Sequence, residues 1–496
     1  MTQLIPLPVV IPLIAAALCV VTGRWLVVQR TISILALSAT TVISIVLLIG
    51  ADREGPLVMQ SGGWEAPLGI SLVVDRLSGI MLTLGSVMLL AVLIYAIGQD
   101  GAERNHVVFQ STYMILAAGV GASFIVGDLF TLFVAFEMML TASYVLLTIG
   151  GRREQIRAGM TYVVISLIAS TLFVVALGLL YAATGTVNMA DLSRKMVDLP
   201  PGVASMFGVL LLAVFGIKAG LFPLFSWLPD AYPVAPGPVT AVFAGLLTKV
   251  GVYAIIRTQT LIIPPASRPQ TLILVVAGLT MIVGILGAIA QDDVKRILSF
   301  NIVSHIGFMV MGLGLFSEAS LAAAILYTAH HIVAKTALFL TGGLIEHVGG
   351  SSRLSSLGNM VRTAPVVAAL FLIPALALCG VPPLSGFIPK LALIQAGFSQ
   401  REYAIVIVSL VASLLTLYSL MKIWVGAFWS PAVDPPQGIP HRVGRLGGPP
   451  LMIAPTAALV GISIAIAIAA GPLYDLCRRA AAQLIDPMAY ISAVLG

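Results

Sequence analysis

Long apolar runs restrict this chain to one class of fold. Fourteen segments are predominantly apolar over about 20 residues or more. They lie near 4–23, 31–50, 75–98, 107–126, 128–149, 158–182, 204–228, 237–258, 270–290, 296–316, 319–346, 363–398, 402–429 and 450–471. A helix needs about 20 such residues to cross the hydrocarbon core of a bilayer. In lipid, only helices and closed barrels satisfy all their own backbone hydrogen bonds. With 59% hydrophobic and only 9% charged residues, the pattern predicts an all-α polytopic membrane protein of about 14 transmembrane helices and excludes a soluble globule. Consecutive membrane helices pack into one bundle, so the length does not imply several soluble domains. The first run has no basic stretch before it and reads as a transmembrane helix rather than a cleaved signal. The tail YDLCRRAAAQLIDPMAYISAVL is amphipathic and is expected to lie along the interface.

Six ionisable side chains sit deep in these runs: Glu137, Lys218, Lys249, Lys335, Lys390 and Lys422. A charge near the bilayer centre costs roughly 2.5–3.5 kcal/mol on insertion scales. Such residues persist when they face protein, a partner or water, and a series of them points to ion or proton movement. Five of the positive charges are buried in this way, so the net charge of +6 is no nucleic-acid footprint. Cys19, Cys379 and Cys477 are far apart and suggest neither a disulfide framework nor a metal cluster. No CxxC, phosphate loop or dinucleotide motif is present, so no cofactor and no redox site are expected. The sequence locates no sodium site.

Each ionisable residue also has a plainer reading. Glu137 and Lys218 could form a static ion pair, or a switch in which separation lowers the lysine's proton affinity. Lys218 precedes FPLFSWLPDAYPVAPGPV, whose later prolines fit a simple corner, whereas Pro223 suggests a break at membrane depth. Lys249 has no acid within two turns on its own helix and is too central for easy snorkelling, which suits a proton relay. His331 and Lys335 are i and i+4 on one helix face, with His330 turned about 100° away. His305 is a further relay candidate or a packing residue. Lys390 follows CGVPPLSGFIP, a second interrupted segment, and reads as the counterpart of Lys218 near its break. Lys422 lies near a helix end, where snorkelling is the better reading.

An internal repeat is also visible. Tyr162, Ala169, Thr171 and Gly178 recur 165 residues later as Tyr327, Ala334, Thr336 and Gly343. The offset aligns segments 4–8 with segments 9–13 and predicts two five-helix repeats, inverted relative to each other, with the seventh and twelfth helices broken. The expected division is 1–106, 107–260 (first repeat), 261–430 (second repeat) and 431–496. For orientation, an outside N-terminus puts twelve basic residues in inner loops, including Arg104, Arg442 and Arg445, against nine outside, including Arg257. The loop GGRREQIR favours both termini outside.

The stretch FGIKAGLFPLFSWLPDAYPVAPGPVTAVFAGLLTKVGVYAIIR resembles helices 7 and 8 of the antiporter-like subunits shared by respiratory complex I and Mrp-type cation/proton antiporters. FVAFEMMLTASYVLL, AHHIVAKTALFLTGG and GVPPLSGFIPKLALIQAGF agree with it, over roughly residues 107–430. Lys390 in place of a terminal glutamate, the chain ending soon after the fourteenth helix, and the NMADLS wording resemble the D subunit of Mrp antiporters most closely. The resemblance implies Glu137 and Lys218 as a coupling pair, Lys249 as central relay, His331 and Lys335 as bridge and Lys390 as terminal lysine. It also implies partner subunits of a hetero-oligomeric complex, sodium and protons as the transported ions, and a prokaryotic plasma membrane. The alternatives are a proton-pumping subunit of complex I or a membrane-bound hydrogenase, and a non-transporting scaffold.

Overall fold

Apolar sequence with few helix breakers dictates helices, and the polar residues between the runs decide where each begins and ends. The computed structural model describes residues 1–99, 101, 103, 108–434 and 448–496. Arg104, Arg442 and Arg445 lie outside the described residues.

The principal helices are α1 (Leu7–Val21), α2 (Leu26–Glu54), α3 (Arg76–Gly98), α4 (Phe109–Ile125), α5 (Leu129–Thr148), α6 (Arg153–Thr184), α7 (Pro201–Ala219) and α8 (Gly237–Ile262). They continue with α9 (Gln270–Ile289), α10 (Val294–Leu315), α11 (Glu318–Gly349), α12 (Pro365–Cys379), α13 (Phe387–Ser399), α14 (Tyr403–Trp429), α15 (Pro450–Ile468), α16 (Ala470–Ile485) and α17 (Met488–Leu495). Among the described residues, twelve helices are long and apolar enough to cross a membrane. α4 is shorter, and α12 and α13 together occupy one of the segments read from the sequence. Each of the fourteen runs thus has its helical counterpart.

Short polar residues start the helices by satisfying orphan backbone N–H groups. Asp75 accepts from the Ser78 amide at α3, Asp128 from Thr131 at α5, and Asp293 from Arg296 at α10. Ser317 opens α11 with a capping box.

The interruptions expected in the seventh and twelfth segments are present, and one short sheet is added. The seventh run, read as 204–228, stops at Ala219, where Gly220 takes a left-handed conformation (φ 81°) that a β-carbon resists. The run read as 363–398 is two helices, because Gly380 (φ 83°) and Pro382–Pro383 end α12 before α13 begins. An antiparallel pair, Leu57–Gln60 with Ser71–Val74, joins α2 to α3 in a chain read as all-helical.

α8 is buried throughout, α11 from Ser320 to Ile345 and α10 almost throughout, whereas α2, α6 and α14 present apolar side chains outward. Lys249 and Lys335, with His305, His330 and His331, therefore lie on helices covered by other helices. A 165-residue offset recurs in the architecture. α6 and α11 are both 32 residues long, from Arg153 and Glu318. The caps Asp128 and Asp293 make isolated bridges to Asn188 and Arg353 respectively.

Candidate functional site

The site assembles around α8, because its glycines let neighbouring helices approach. A β-carbon on Gly251 would lie 2.6 Å from the Ala219 amide nitrogen and 3.0 Å from the Lys218 carbonyl carbon. One on Gly245 would run into the Thr336 hydroxyl of α11. Lys249 lies between these two contacts. The two glycines flanking Lys249 thus admit the α7 break at one point of α8 and the Lys335–Thr336 turn at another.

Lys218 closes the last turn of α7, where a cation complements the free carbonyl end. Its Nζ donates to Ser170 Oγ at 3.1 Å and to the Ser166 carbonyl at 3.3 Å. The Ser170 hydroxyl donates in turn to Glu137 Oε1. The expected pair is therefore connected through one hydroxyl on α6, which the sequence reading did not single out. Ser170 is one residue from Thr171, a repeat position, and one turn beyond Ser166, and that spacing was the available signal.

Lys249 is fully buried. The five residues before Thr248, Phe243–Leu247, form a π-helical turn. Such turns loosen the regular i to i+4 ladder. The Lys249 ammonium donates to the Ala244 carbonyl of that turn and to Thr248 Oγ1 at 3.1 Å. No carboxylate pairs with it among the described ion pairs. α8 packs against α11, the helix that carries Lys335.

Lys335, His331, His330 and His305 are all completely buried. The His305 and His331 rings are 5.2 Å apart between centroids, and Tyr327 shares a hydrogen bond with His305 Nδ1. Both His331 nitrogens, His305 Nε2, His330 Nε2 and Lys335 Nζ have no protein hydrogen-bond partner. Burying one such group unpaired costs on the order of 1–3 kcal/mol, so a cluster of five atoms at one place requires an explanation. His330, set aside in the sequence reading because it faces away from His331, meets Ser385 at 2.8 Å in the α12–α13 break, and Ser385 meets Ser463 of α15 at 2.9 Å.

Lys218 precedes its break, whereas Lys390 follows its own, on α13. Its stem nonetheless folds back across Gly380, and Nζ donates to the Cys379 carbonyl at 3.2 Å and to Ser413 Oγ at 3.1 Å. The Lys390 ammonium thus reaches the end of α12 from beyond the break, whereas the Lys218 ammonium turns to α6. Lys422 leaves the row altogether: it donates to the Ile289 and Gln291 carbonyls and pairs with Asp292 at 2.7 Å, as snorkelling to a helix end predicts.

One buried pair was missed. Arg257, counted above with the outer loops, lies inside α8 and forms a two-pronged ion pair with Asp75, at 2.6 and 2.7 Å. The Ser78 amide also donates to Asp75 Oδ1 at 2.9 Å. The available signal was spacing, since Lys249, Tyr253 and Arg257 recur every fourth residue.

Comparison with known proteins supplies context. Residues 126–416 match the family described as NADH:quinone oxidoreductase/Mrp antiporter, transmembrane. The chain is 43% identical to the D subunit of the Na(+)/H(+) antiporter of Alkalihalophilus pseudofirmus over all of both chains. It superposes on a chain of the Mrp complex from Dietzia sp. with a TM-score of 0.91 and 33% identity, covering 100% of this chain and 99% of that one. A chain of the membrane-bound sulfane sulfur reductase, an archaeal respiratory membrane complex, gives 0.88 at 25% identity, covering 99% and 100%.

Proposed function

Because the chain belongs to the NADH:quinone oxidoreductase/Mrp antiporter membrane family, we propose that it is the proton-translocating subunit of a multisubunit sodium/proton antiporter of the Mrp type. The observation that carries this reading is the buried polar row: Glu137–Ser170–Lys218, then Lys249, then Lys335 with His331 and His305, then His330–Ser385 and Lys390. An apolar bundle has no structural need for unpaired lysine and histidine nitrogens at its centre. Proton exchange needs them, because a lysine without a carboxylate can release its proton.

Glu137 and Lys218 act as the coupling pair and Lys249 as the central relay. His331 and Lys335 form the bridge, and Lys390 is the terminal group. Protons enter from one face, cross along this row and leave at the other, driven by about 2.3 kcal/mol per charge per 100 mV of membrane potential. The partners are the other subunits of a hetero-oligomeric complex, and no intrinsic redox chemistry is assigned.

The finer arrangement belongs to the same proposal. The breaks after Ala219 and Cys379, the equal lengths of α6 and α11, and the paired caps Asp128 and Asp293 support two repeats of inverted topology at 107–260 and 261–430. The flanking parts are 1–106 and 431–496. The membrane is a prokaryotic plasma membrane with both termini outside, a reading that gains from the removal of Arg257 from the outer loop residues.

The test is to purify the complex from its native membrane and reconstitute it. Co-purification with antiporter subunits, and sodium-dependent dissipation of a pH gradient in the resulting vesicles, is the expected result. Co-purification with redox subunits of a dehydrogenase or hydrogenase would overturn it.

A further inference from the structure

Buried threonines in this protein commonly bond back along their own helix. The hydroxyls of Thr258 and Thr260 on α8, and of Thr336 and Thr341 on α11, donate to the carbonyl four residues earlier at 2.7 or 2.8 Å. Back-bonding satisfies a hydroxyl that has no water beside it. Thr248 is bound otherwise. The carbonyl four residues before it, that of Ala244, accepts from the Lys249 ammonium, which also donates to Thr248 Oγ1 at 3.1 Å. The ammonium thus sits between a hydroxyl and a carbonyl that would ordinarily bond to each other.

Two features of α8 build this seat. Helix side chains tilt toward the N-terminus, so the Lys249 stem runs back toward the turn before it. That turn, Phe243–Leu247, is π-helical. A π turn interrupts the regular ladder of backbone bonds, and a side chain can then insert into it. The seat is also braced from outside. Gly245, inside the turn, packs so closely on α11 that a β-carbon there would run into Thr336 Oγ1. Thr336 directly follows Lys335. The turn that holds Lys249 therefore rests on the helix that carries Lys335.

We propose that Thr248 is a positioning residue for Lys249: with the Ala244 carbonyl of the π turn, its hydroxyl forms a seat that holds the lysine in its ammonium form between transfers. The proposal rests on Lys249 being a relay and adds what holds its proton. α8 packs against α7, α10, α11, α3 and α4. Within their spans these helices bring Lys218, His305, His330, His331, Lys335, Tyr95 and Tyr113. The two tyrosine hydroxyls donate to the Leu340 and Leu89 carbonyls. The described carboxylates of these helices and their caps lie at helix ends and are paired, Glu346 with Lys295, Glu318 with Arg478 and Asp75 with Arg257. Neutral dipoles, rather than a counter-charge, therefore favour the charged form of Lys249. A shift of α11 against Gly245 withdraws the Ala244 carbonyl and frees the proton.

The experiment uses the whole complex in membrane vesicles. Initial rates of sodium-driven dissipation of a pH gradient are measured against pH, with recovery of intact complex as the assembly control. Thr248→Val keeps the branched shape and removes the hydroxyl. The ammonium then has one acceptor fewer, so Lys249 gives up its proton more readily. The pH profile is expected to move to lower pH by about one unit, the scale of one hydrogen bond to a charge. Thr248→Ser restores the hydroxyl and should return the profile to its original place. Should Thr248→Val not assemble, Thr248→Ala carries the same expectation. A hydroxyl-free variant with the unmodified profile overturns the seat, as does a serine variant that stays shifted. Lys249→Ala separates the two levels of the argument. Inactive Lys249→Ala beside an unshifted Thr248→Val overturns the seat alone, whereas fully active Lys249→Ala overturns the relay and the seat together.

Discussion

Lys218 and Glu137 meet through a single hydroxyl: Ser170 accepts from the lysine at 3.1 Å and donates to the glutamate. The bridge keeps the two charges coupled without locking them into a direct pair. Rotation of one serine side chain then suffices to couple or uncouple them. A direct buried pair would have to be pulled apart against its full attraction.

Ser170→Ala is therefore expected to slow sodium-driven proton flux several-fold while the complex still assembles. Glu137→Ala should abolish sodium resistance in an antiporter-deficient host. Growth on sodium, with membrane content of the complex measured alongside, checks both. Unimpaired resistance with Glu137→Ala would remove the coupling-pair assignment.

Lys249 separates a relay from a mere positive charge. Lys249→Ala should stop transport. Lys249→Arg keeps the charge but cannot release its proton near neutral pH, so it should be slowed at least tenfold. Initial rates in vesicles across neutral pH decide the matter. An assembled arginine variant running at the wild-type rate means that Lys249 acts only electrostatically.

Gly251 has a backbone neighbour that cannot move aside. Gly251→Ala places a carbon 2.6 Å from the Ala219 amide nitrogen. It should push α8 from the α7 break and destabilise the protein by about 1–3 kcal/mol, the usual scale of overpacking. A lower midpoint of thermal unfolding in detergent is the expected reading. A β-carbon on Gly178 would meet no atom within 4 Å, so Gly178→Ala is the neutral control.

Asp75→Ala leaves Arg257 buried without its carboxylate. Losing one partner of a buried pair costs about 3–5 kcal/mol. The expected result is a sharp fall in recovered complex. Asp75→Ala with Arg257→Leu, which removes both charges, should recover much of the loss. Equal loss in the single and double variants would show that the pair is not what stabilises this region.

The sequence by itself determined the class of fold, the number of apolar segments and the four lysines buried along the row. These follow from local rules: about 20 apolar residues make a span, a charge within one demands a purpose, and glycine with proline ends a helix. Only the tertiary structure decided how the charges are connected. Ser170 between Glu137 and Lys218, His330 against Ser385, and Lys390 folded back across Gly380 each join residues far apart in sequence. Arg257 shows the limit most directly. At the end of an apolar run, an arginine facing a loop and an arginine paired with Asp75 have the same local sequence, because its partner lies 182 residues away. Hydrophobicity and helical spacing act over a few turns, whereas pairing depends on which helices pack together, and that is a property of the whole bundle.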